Sequence, residues 1–439
     1  MSEYADIVIK NLSLCSFRNY LDKDIISLLF SSKDLIITPN CTFYLEDGSP
    51  YKCTKYEYKT TVANAKQRLD ALGFSLSNFE KTFTNNMLKS IDYFHFLYHL
   101  KIDLEQYEDI IRERIYKNIT FKKWKNAMHK IISYELLNGN IRSPLTSKNF
   151  CLRTECEKVI YYSLEELSND SYYGLYPNII NIAYIYRMIL ESCNNDDAVI
   201  LDFSCLQYWA EDSIKDAISA TKNIEKTIVL VEGTSDKNIL EYSMNKIYPH
   251  LSDLFYFMDF DDTYGGKRDG GTSYVIKNLK TFYFSKLKSK FIAVFDNDAE
   301  GYQSQCTLLR EIKNWPDNFR ILLYPQLDLF KKYPTLAPYE TIILDDINKK
   351  ACSIELYLPD IIIKSNEEYL PIEWESRKKI KLANGIEESI YQGAISQKNE
   401  IQNKFYQLKN SIESGQITFI NKDWSRMKKL LDTIVFAFV

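Results

Sequence analysis

From residue 221 the chain breaks into short apolar runs: KTIVLVEGTSD, DLFYFMDFDD, KFIAVFDND, RILLYP and TIILDD. Segments of helix or loop length separate them, and no other feature constrains the fold as strongly. Strands alternating with helices build a parallel α/β sheet. Ligands of such sheets bind beyond the carboxyl ends of the strands. Several of the runs end in acid, at Glu232, Asp259, Asp296 and Asp345. Asp296 and Asp298 are two residues apart, so in an extended chain they aim at one spot. Their mutual repulsion calls for a lysine, bulk water or a divalent cation.

Glu232 sits at the end of the strand Thr227–Val231, and Gly233 permits a sharp turn after it. Thr234 or Ser235 can cap the helix that follows, with Asp236 in its first turn. Glu232 and Asp236 are therefore expected on the same rim as Asp296 and Asp298. An acid after one strand and D-x-D after another form a hard-oxygen set suited to Mg²⁺ or Mn²⁺. Plainer readings stand beside this one. D-x-D alone fits a solvated strand end, Asp236 fits a residue favoured by the helix dipole, and Glu300 fits a surface position. Between the two acidic runs, TYGGKRDGGTS holds Gly265, Gly266, Gly270 and Gly271, four of the 13 glycines. This is a loop for close backbone approach or a flexible turn. It is not a Walker A loop, because Arg268 follows Lys267.

The chain has 439 residues, a length suited to two to four domains. It is 45% hydrophobic and 26% charged, the balance of a soluble globular protein. A net charge of −4 excludes a globally basic nucleic-acid binder, leaving local patches or metal ions to hold such a partner. Nine cysteines without a C-x-x-C pair read as reduced thiols, and with no signal-like start the cytoplasm is the expected location. No apolar stretch reaches the ~20 residues of a membrane span.

Earlier in the chain, ADIVIKNL and CTFYLEDG read as strands and DKDIISLLFS as a short helix. Residues 79–137 carry helical periodicity without proline, and NIINIAYIYRMILESC is a further helix before the strand AVILDF. The basic stretches FKKWKNAMHK, KLKSK and SRKKIK can grip phosphate or form solvated faces. Lys286 and Lys288 gain weight by preceding the D-x-D strand. His95 and His99, four apart among aromatics, read as a core or groove pair and not as a zinc site.

VEGTSDK, a glycine-rich loop and VFDNDAEG, in that order, resemble the Toprim domain shared by topoisomerases, bacterial primases and a group of nucleases. SIELYLP resembles the later acidic motif of the nuclease branch, which points to Glu355. At the N-terminus, SFRNYLDKDIISLLF and YEYKTTVANAKQRLDALGFS resemble the HEPN/Toprim-associated proteins, predicted prokaryotic antiviral-defence nucleases. DWSRMKKLLDTI is compatible with their C-terminal end. The resemblance implies an α/β-plus-α chain in four parts. These are an N-terminal α/β domain (1–78), a mainly helical HEPN-like region (79–220), a Toprim catalytic domain with a parallel sheet (221–363) and a C-terminal helical segment (364–439).

The resemblance further implies a divalent-metal-dependent endonuclease acting on DNA or RNA, assembled as a homo-oligomer or with a partner defence protein, and no membrane. Asp296 and Asp298 would be metal ligands, and Glu232 a ligand or general acid/base. Asp236 and Glu355 would hold a second metal or its water shell, with Glu300 a further candidate. Lys237, Lys267, Arg268, Lys286 and Lys288 would contact nucleic acid. The Arg-x(4–6)-His motif of HEPN ribonucleases is absent, so the helical region is expected to be a scaffold. Two alternatives remain. Asp259 and Asp261 in DFDDT look like the nucleophile loop of haloacid-dehalogenase phosphatases, and a non-catalytic Toprim-like sensing module needs no chemistry at all.

Overall fold

The computed structural model describes residues 4–18, 21–44, 48–85, 117–138, 181–208, 211–222, 224–258, 271–337 and 341–439, with Thr154 and Glu157. Two compact units divide the chain, Met1–Ile224 (with Val439) and Glu225–Phe438.

The first unit is built on one antiparallel sheet. Its strands are β1 (Tyr4–Ile9), β2 (Leu12–Arg18), β3 (Leu35–Tyr44), β4 (Pro50–Thr61) and β5 (Ala198–Asp202), in the spatial order β2-β1-β5-β4-β3. The central strand β5 thus comes from far along the chain, and the sheet draws on both segments that the resemblance separates, 1–78 and 79–220. Helices that pack into this core include α1 (Lys23–Leu29), α2 (Val62–Ala71), α3 (Phe121–Asn138) and α4 (Ile182–Glu191). Asp22 starts α1 by accepting from the Asp24 and Ile25 N–H groups, and Thr61 starts α2 by accepting from Asn64. Ile7, Ile9, Tyr58, Val199 and Leu201 are buried in one cluster with Ile26, Leu69 and Leu190. Within it Arg187 is paired twice, to Asp70 at 2.7 Å and to Glu191 at 2.9 Å. The next helix, α5, spans Glu211–Ser219.

The second unit contains the expected parallel sheet. Its elements are β6 (Thr227–Leu230), α6 (Thr234–Ile247), β7 (Phe255–Met258), α7 (Thr272–Phe284), β8 (Phe291–Phe295), the short β9 (Asn297–Asp298), α8 (Ala299–Glu311) and β10 (Phe319–Leu323). The order is β10-β8-β6-β7, with every pair parallel. All five residues of β8 are buried, as a central strand covered on both faces requires. The chain leaves β6 toward β7 on one side and β8 toward β10 on the other. The switch in direction therefore falls between β6 and β8, and ligands of such sheets bind at the carboxyl ends of the strands at this point.

A second sheet follows, built from β11 (Tyr333–Ala337), β12 (Thr341–Asp345), β14 (Ile372–Lys381) and β15 (Glu387–Ile395), in the order β12-β11-β14-β15. A two-residue strand, β13 (Ala351–Cys352), pairs with β9. Helices α9 (Lys398–Glu413) and α10 (Ser425–Val435) close the unit.

Two expectations are corrected here. TIILDD is not a strand of the parallel sheet. It pairs antiparallel with β11 as an edge, with Ile342, Ile343 and Leu344 exposed, so Asp345 is no part of the acidic rim. Residues 364–439 are not simply helical, because a long hairpin precedes α9. Buried Ile380 between exposed lysines shows the two-residue period of a strand, and Asn384–Gly385 makes the turn with Gly385 at φ +87°. Among the described residues no helix is long and apolar enough to cross a membrane.

Candidate active site

Glu232 and Asp296 follow β6 and β8, the two strands that flank the switch point. The Asp296 backbone N–H donates to Glu232 Oε1 at 3.1 Å, a bond that ties the two strand ends together. The other oxygen that matters is Asp296 Oδ1, which is shielded from solvent and accepts no hydrogen bond. A buried carboxylate oxygen without a donor is costly. Its pKa is raised well above the usual range, by burial first and then by Glu232, Asp236 and Asp298.

The rest of DND is divided by the strand's alternation. Asn297 points away and is fully buried, accepting from the Lys349 N–H at 2.9 Å and donating to Asn348 at 3.3 Å. Asp298 returns to the side of Asp296 and caps α8, its Oδ1 accepting from the Gly301 N–H at 2.7 Å. Its Oδ2 accepts from Gln392 Nε2 on β15, also at 2.7 Å. A β-carbon on Gly301 would run into the Asp296 carbonyl, so the glycine is what lets α8 start against this strand end.

Asp236 is buried in the first turn of α6. The helix cap is Gly233, not Thr234 or Ser235, and no side chain caps it from that position. Asp236 instead reaches back to the Gly233 N–H and to Ser235, which is half of a capping box. Burial, and after it Glu355, still lifts its carboxyl to about 7. Glu232 is pushed up to about 8 by burial, with repulsion from Asp298, Asp236 and Glu300 added. Glu355, in the short helical turn Ile354–Tyr357, is fully buried. It accepts from Ser353 at 2.7 Å and Gln402 at 2.9 Å, and Lys398 Nζ lies 3.5 Å away.

The electrostatics link five of the expected residues in a chain: Asp296 feels Glu232, Asp236 and Asp298, and Glu355 joins through Asp236. The donor set is all carboxylate, which suits Mg²⁺ or Mn²⁺, and the orphaned Asp296 Oδ1 is the atom such an ion would satisfy. Among the described residues, however, no three His, Cys, Asp or Glu side chains are already gathered closely enough to hold a metal ion. Glu232, Asp298 and Glu355 each take nitrogen or hydroxyl donors instead.

Glu300 is placed differently. Its carboxylate pairs with Lys378 at 2.9 Å and accepts from Thr272 at 3.2 Å, and Lys378, with that hydroxyl, holds its pKa below the usual range. Lys237 lies on α6 within one turn of Gly233. Lys286 and Lys288 lie before β8, at the opposite end of that strand from Asp296. The five residues of β8 separate the two ends by about 16 Å. There they line a groove of about 550 Å³ with Phe284 and Phe319. Lys267, Arg268, Asp259 and Asp261 lie outside the described residues, as do His95 and His99.

Three participants were not singled out from the sequence. Lys398 has its charge stabilised, against burial, by Glu355, Asp296 and Asp236. Tyr324, directly after β10, is buried within reach of Asp236, Asp296, Glu232 and Glu355. Gln392 joins Asp298 to the backbone of Glu300. Lys398 and Gln392 come from the C-terminal hairpin and helix, and no local motif announces them. Tyr324 was within sight, as the last residue but one of the apolar run RILLYP.

Over residues 1–222, half of the 439 residues, the chain matches the family model HEPN/Toprim N-terminal domain 1. No curated protein and no solved structure matches it. The chain therefore belongs to the HEPN/Toprim N-terminal domain 1 family.

Proposed function

We propose that Glu225–Phe438 is a Toprim-type centre that hydrolyses phosphodiester bonds of nucleic acid with a divalent cation, in the service of antiviral defence. One observation carries this reading. At the switch point of a parallel sheet, a solvent-shielded Asp296 oxygen without a donor faces Glu232, Asp236 and Asp298. Such a concentration of carboxylate, against which Lys398 sets a single positive charge, is suited to a hard cation.

Asp296 and Asp298 would hold the ion, with Glu232 beside them, and Asp236 and Glu355 would hold a second ion or its water. Bound Mg²⁺ or Mn²⁺ supplies charge neutralisation at the phosphoryl group and an activated water. The chain's own groups do the rest. Glu232, held by the Asp296 N–H, is placed to keep or release a proton near neutral pH. Gly301 and Gln392 fix Asp298. Phosphoryl transfer is mainly positioning and charge stabilisation, so a site without a Cys or His nucleophile suffices.

The test is incubation of the purified chain with Mg²⁺ or Mn²⁺ and labelled DNA, transfer RNA and ribosomal RNA, with Glu232→Gln as control. Metal-dependent cleavage by the wild type alone is expected. Equal cleavage by Glu232→Gln, or none of any substrate, removes the proposal.

A further inference from the structure

The hairpin of β14 and β15 has two unlike faces, and one of them serves the acidic rim. Cross-strand partners share a face. Ser376 with Gln392, Lys378 with Ile390 and Ile380 with Glu388 form the inner set. From it Gln392 reaches Asp298 and Lys378 reaches Glu300. The other set, Arg377 with Tyr391 and Lys379 with Ser389, faces solvent, and Tyr391 is 51% exposed.

That outer face combines cations with aromatic rings. Arg377 lies over the Tyr391 ring at 5.6 Å, and Trp374 is 5.9 Å from the same ring. Lys350 lies over Trp374 at 6.0 Å. Its backbone bridges to Asp298, which anchors one end of the stripe beside the rim. Among the described residues neither Arg377 nor Lys379 forms an ion pair. Lys381 is opposite Glu387 and is discounted, and Lys350 shares its charge with Asp345 at 3.5 Å. Gly393, opposite Trp374, has no room for a β-carbon against Ile372 and the indole, so the glycine makes space for the ring.

We infer that this outer face, Trp374, Tyr391, Arg377, Lys379 and Lys350, binds a single nucleic-acid strand and leads it to the acidic rim. The exposed Tyr391 ring, with Trp374 beside it, stacks on bases while Arg377 and Lys379 hold the backbone, the combination by which single strands are gripped without sequence preference. A duplex keeps its bases inside the stack and offers nothing to Tyr391. That the strand is led to cleavage rests on the proposed metal centre.

The test is fluorescence anisotropy of the full chain in EDTA, where metal-dependent cleavage is off. The probes are a labelled single strand of about 16 nucleotides, as DNA and as RNA, and the matching duplex. The wild type is expected to bind a single strand more tightly than the duplex. Arg377→Ala with Lys379→Ala should weaken binding at least ~10-fold and flatten its log–log salt slope by about 1.4, for two phosphate contacts. Tyr391→Leu should weaken it ~5- to 100-fold and Tyr391→Phe should restore it. Thermal melting of each variant confirms its fold. Unchanged affinity in the hairpin variants, preference for the duplex, or no strand binding overturns the inference. Calorimetry with Mn²⁺ separates the two ideas, because the hairpin variants should bind metal normally while Asp296→Asn should not.

Discussion

Asp296 Oδ1, Glu232 and Asp236 share one electrostatic problem, and its pH dependence has a definite sign. Asp236 is lifted to about 7 and Glu232 to about 8, from ordinary values of 3.8 and 4.5. A raised carboxyl pKa means that the folded chain holds the proton more tightly than the unfolded one. The resulting stability is full below the unfolded values and is lost as pH climbs through the folded ones. The metal-free chain should therefore melt at lower temperature near pH 8.5 than near pH 5.5. Glu232→Gln should flatten that slope, and Mn²⁺ should raise the melting temperature more at the higher pH. Scanning calorimetry in EDTA and in Mn²⁺ measures both, and a melting temperature independent of pH would sink the argument. The roles of the acids separate in a second measurement, cleavage rate against metal concentration. Glu232→Gln keeps shape but cannot move a proton, so cleavage should fall within ~10²–10⁴-fold and stay low at high Mn²⁺. Asp296→Asn should lose metal and cleavage together and recover much of both at high Mn²⁺. If high Mn²⁺ rescues both variants alike, Glu232 is a ligand and nothing more.

At the scale of elements, the rim depends on how helix α8 begins. Gly301 is the contact point between that helix and the Asp296 carbonyl. Gly301→Ala forces a methyl group against backbone that cannot rotate away, which should destabilise the chain by about 1–3 kcal/mol. It should also displace Asp298, whose Oδ1 is tied to the Gly301 N–H. Chemical denaturation and metal affinity check this, and a variant as stable and as metal-competent as the wild type would mean that the helix start can shift freely. The strands that carry this rim were legible because β8 is an unbroken apolar run ending in acid. The hairpin was not. SRKKIK looks like a charged helix face until Ile380 and the Asn384–Gly385 turn are read together. Its partner strand EESIYQGAI gives a weak pattern, since Gln392 and Gly393 are buried for reasons that lie on Asp298 and Trp374. Lys286 and Lys288 show the opposite error. Proximity in sequence to D-x-D placed them near the site, but a parallel strand separates its two ends by its whole length.

Across the whole molecule, long-range pairing decided what local pattern could show. The first unit's strands and helices were partly visible one by one, yet the placement of β5 between β1 and β4 follows from hydrogen bonds across more than a hundred residues. Its buried Arg187 is likewise consumed by Asp70 and Glu191. It is a structural cation and not a catalytic one. The histidine described in this unit, His129, is exposed on α3, and none of the acids of the rim belongs to Met1–Ile224. If the chemistry resides in Glu225–Phe438, removing that imidazole should change nothing in the reaction. His129→Ala is therefore expected to cleave labelled nucleic acid within about 2-fold of the wild type, with a melting temperature shifted by little, as an exposed substitution allows. Cleavage is to be measured with Mg²⁺ and again with Mn²⁺, beside Glu232→Gln in the same preparation. Loss of activity in His129→Ala with an unchanged melting curve would assign a catalytic group to the first unit and dislodge the rim from its role as the sole centre.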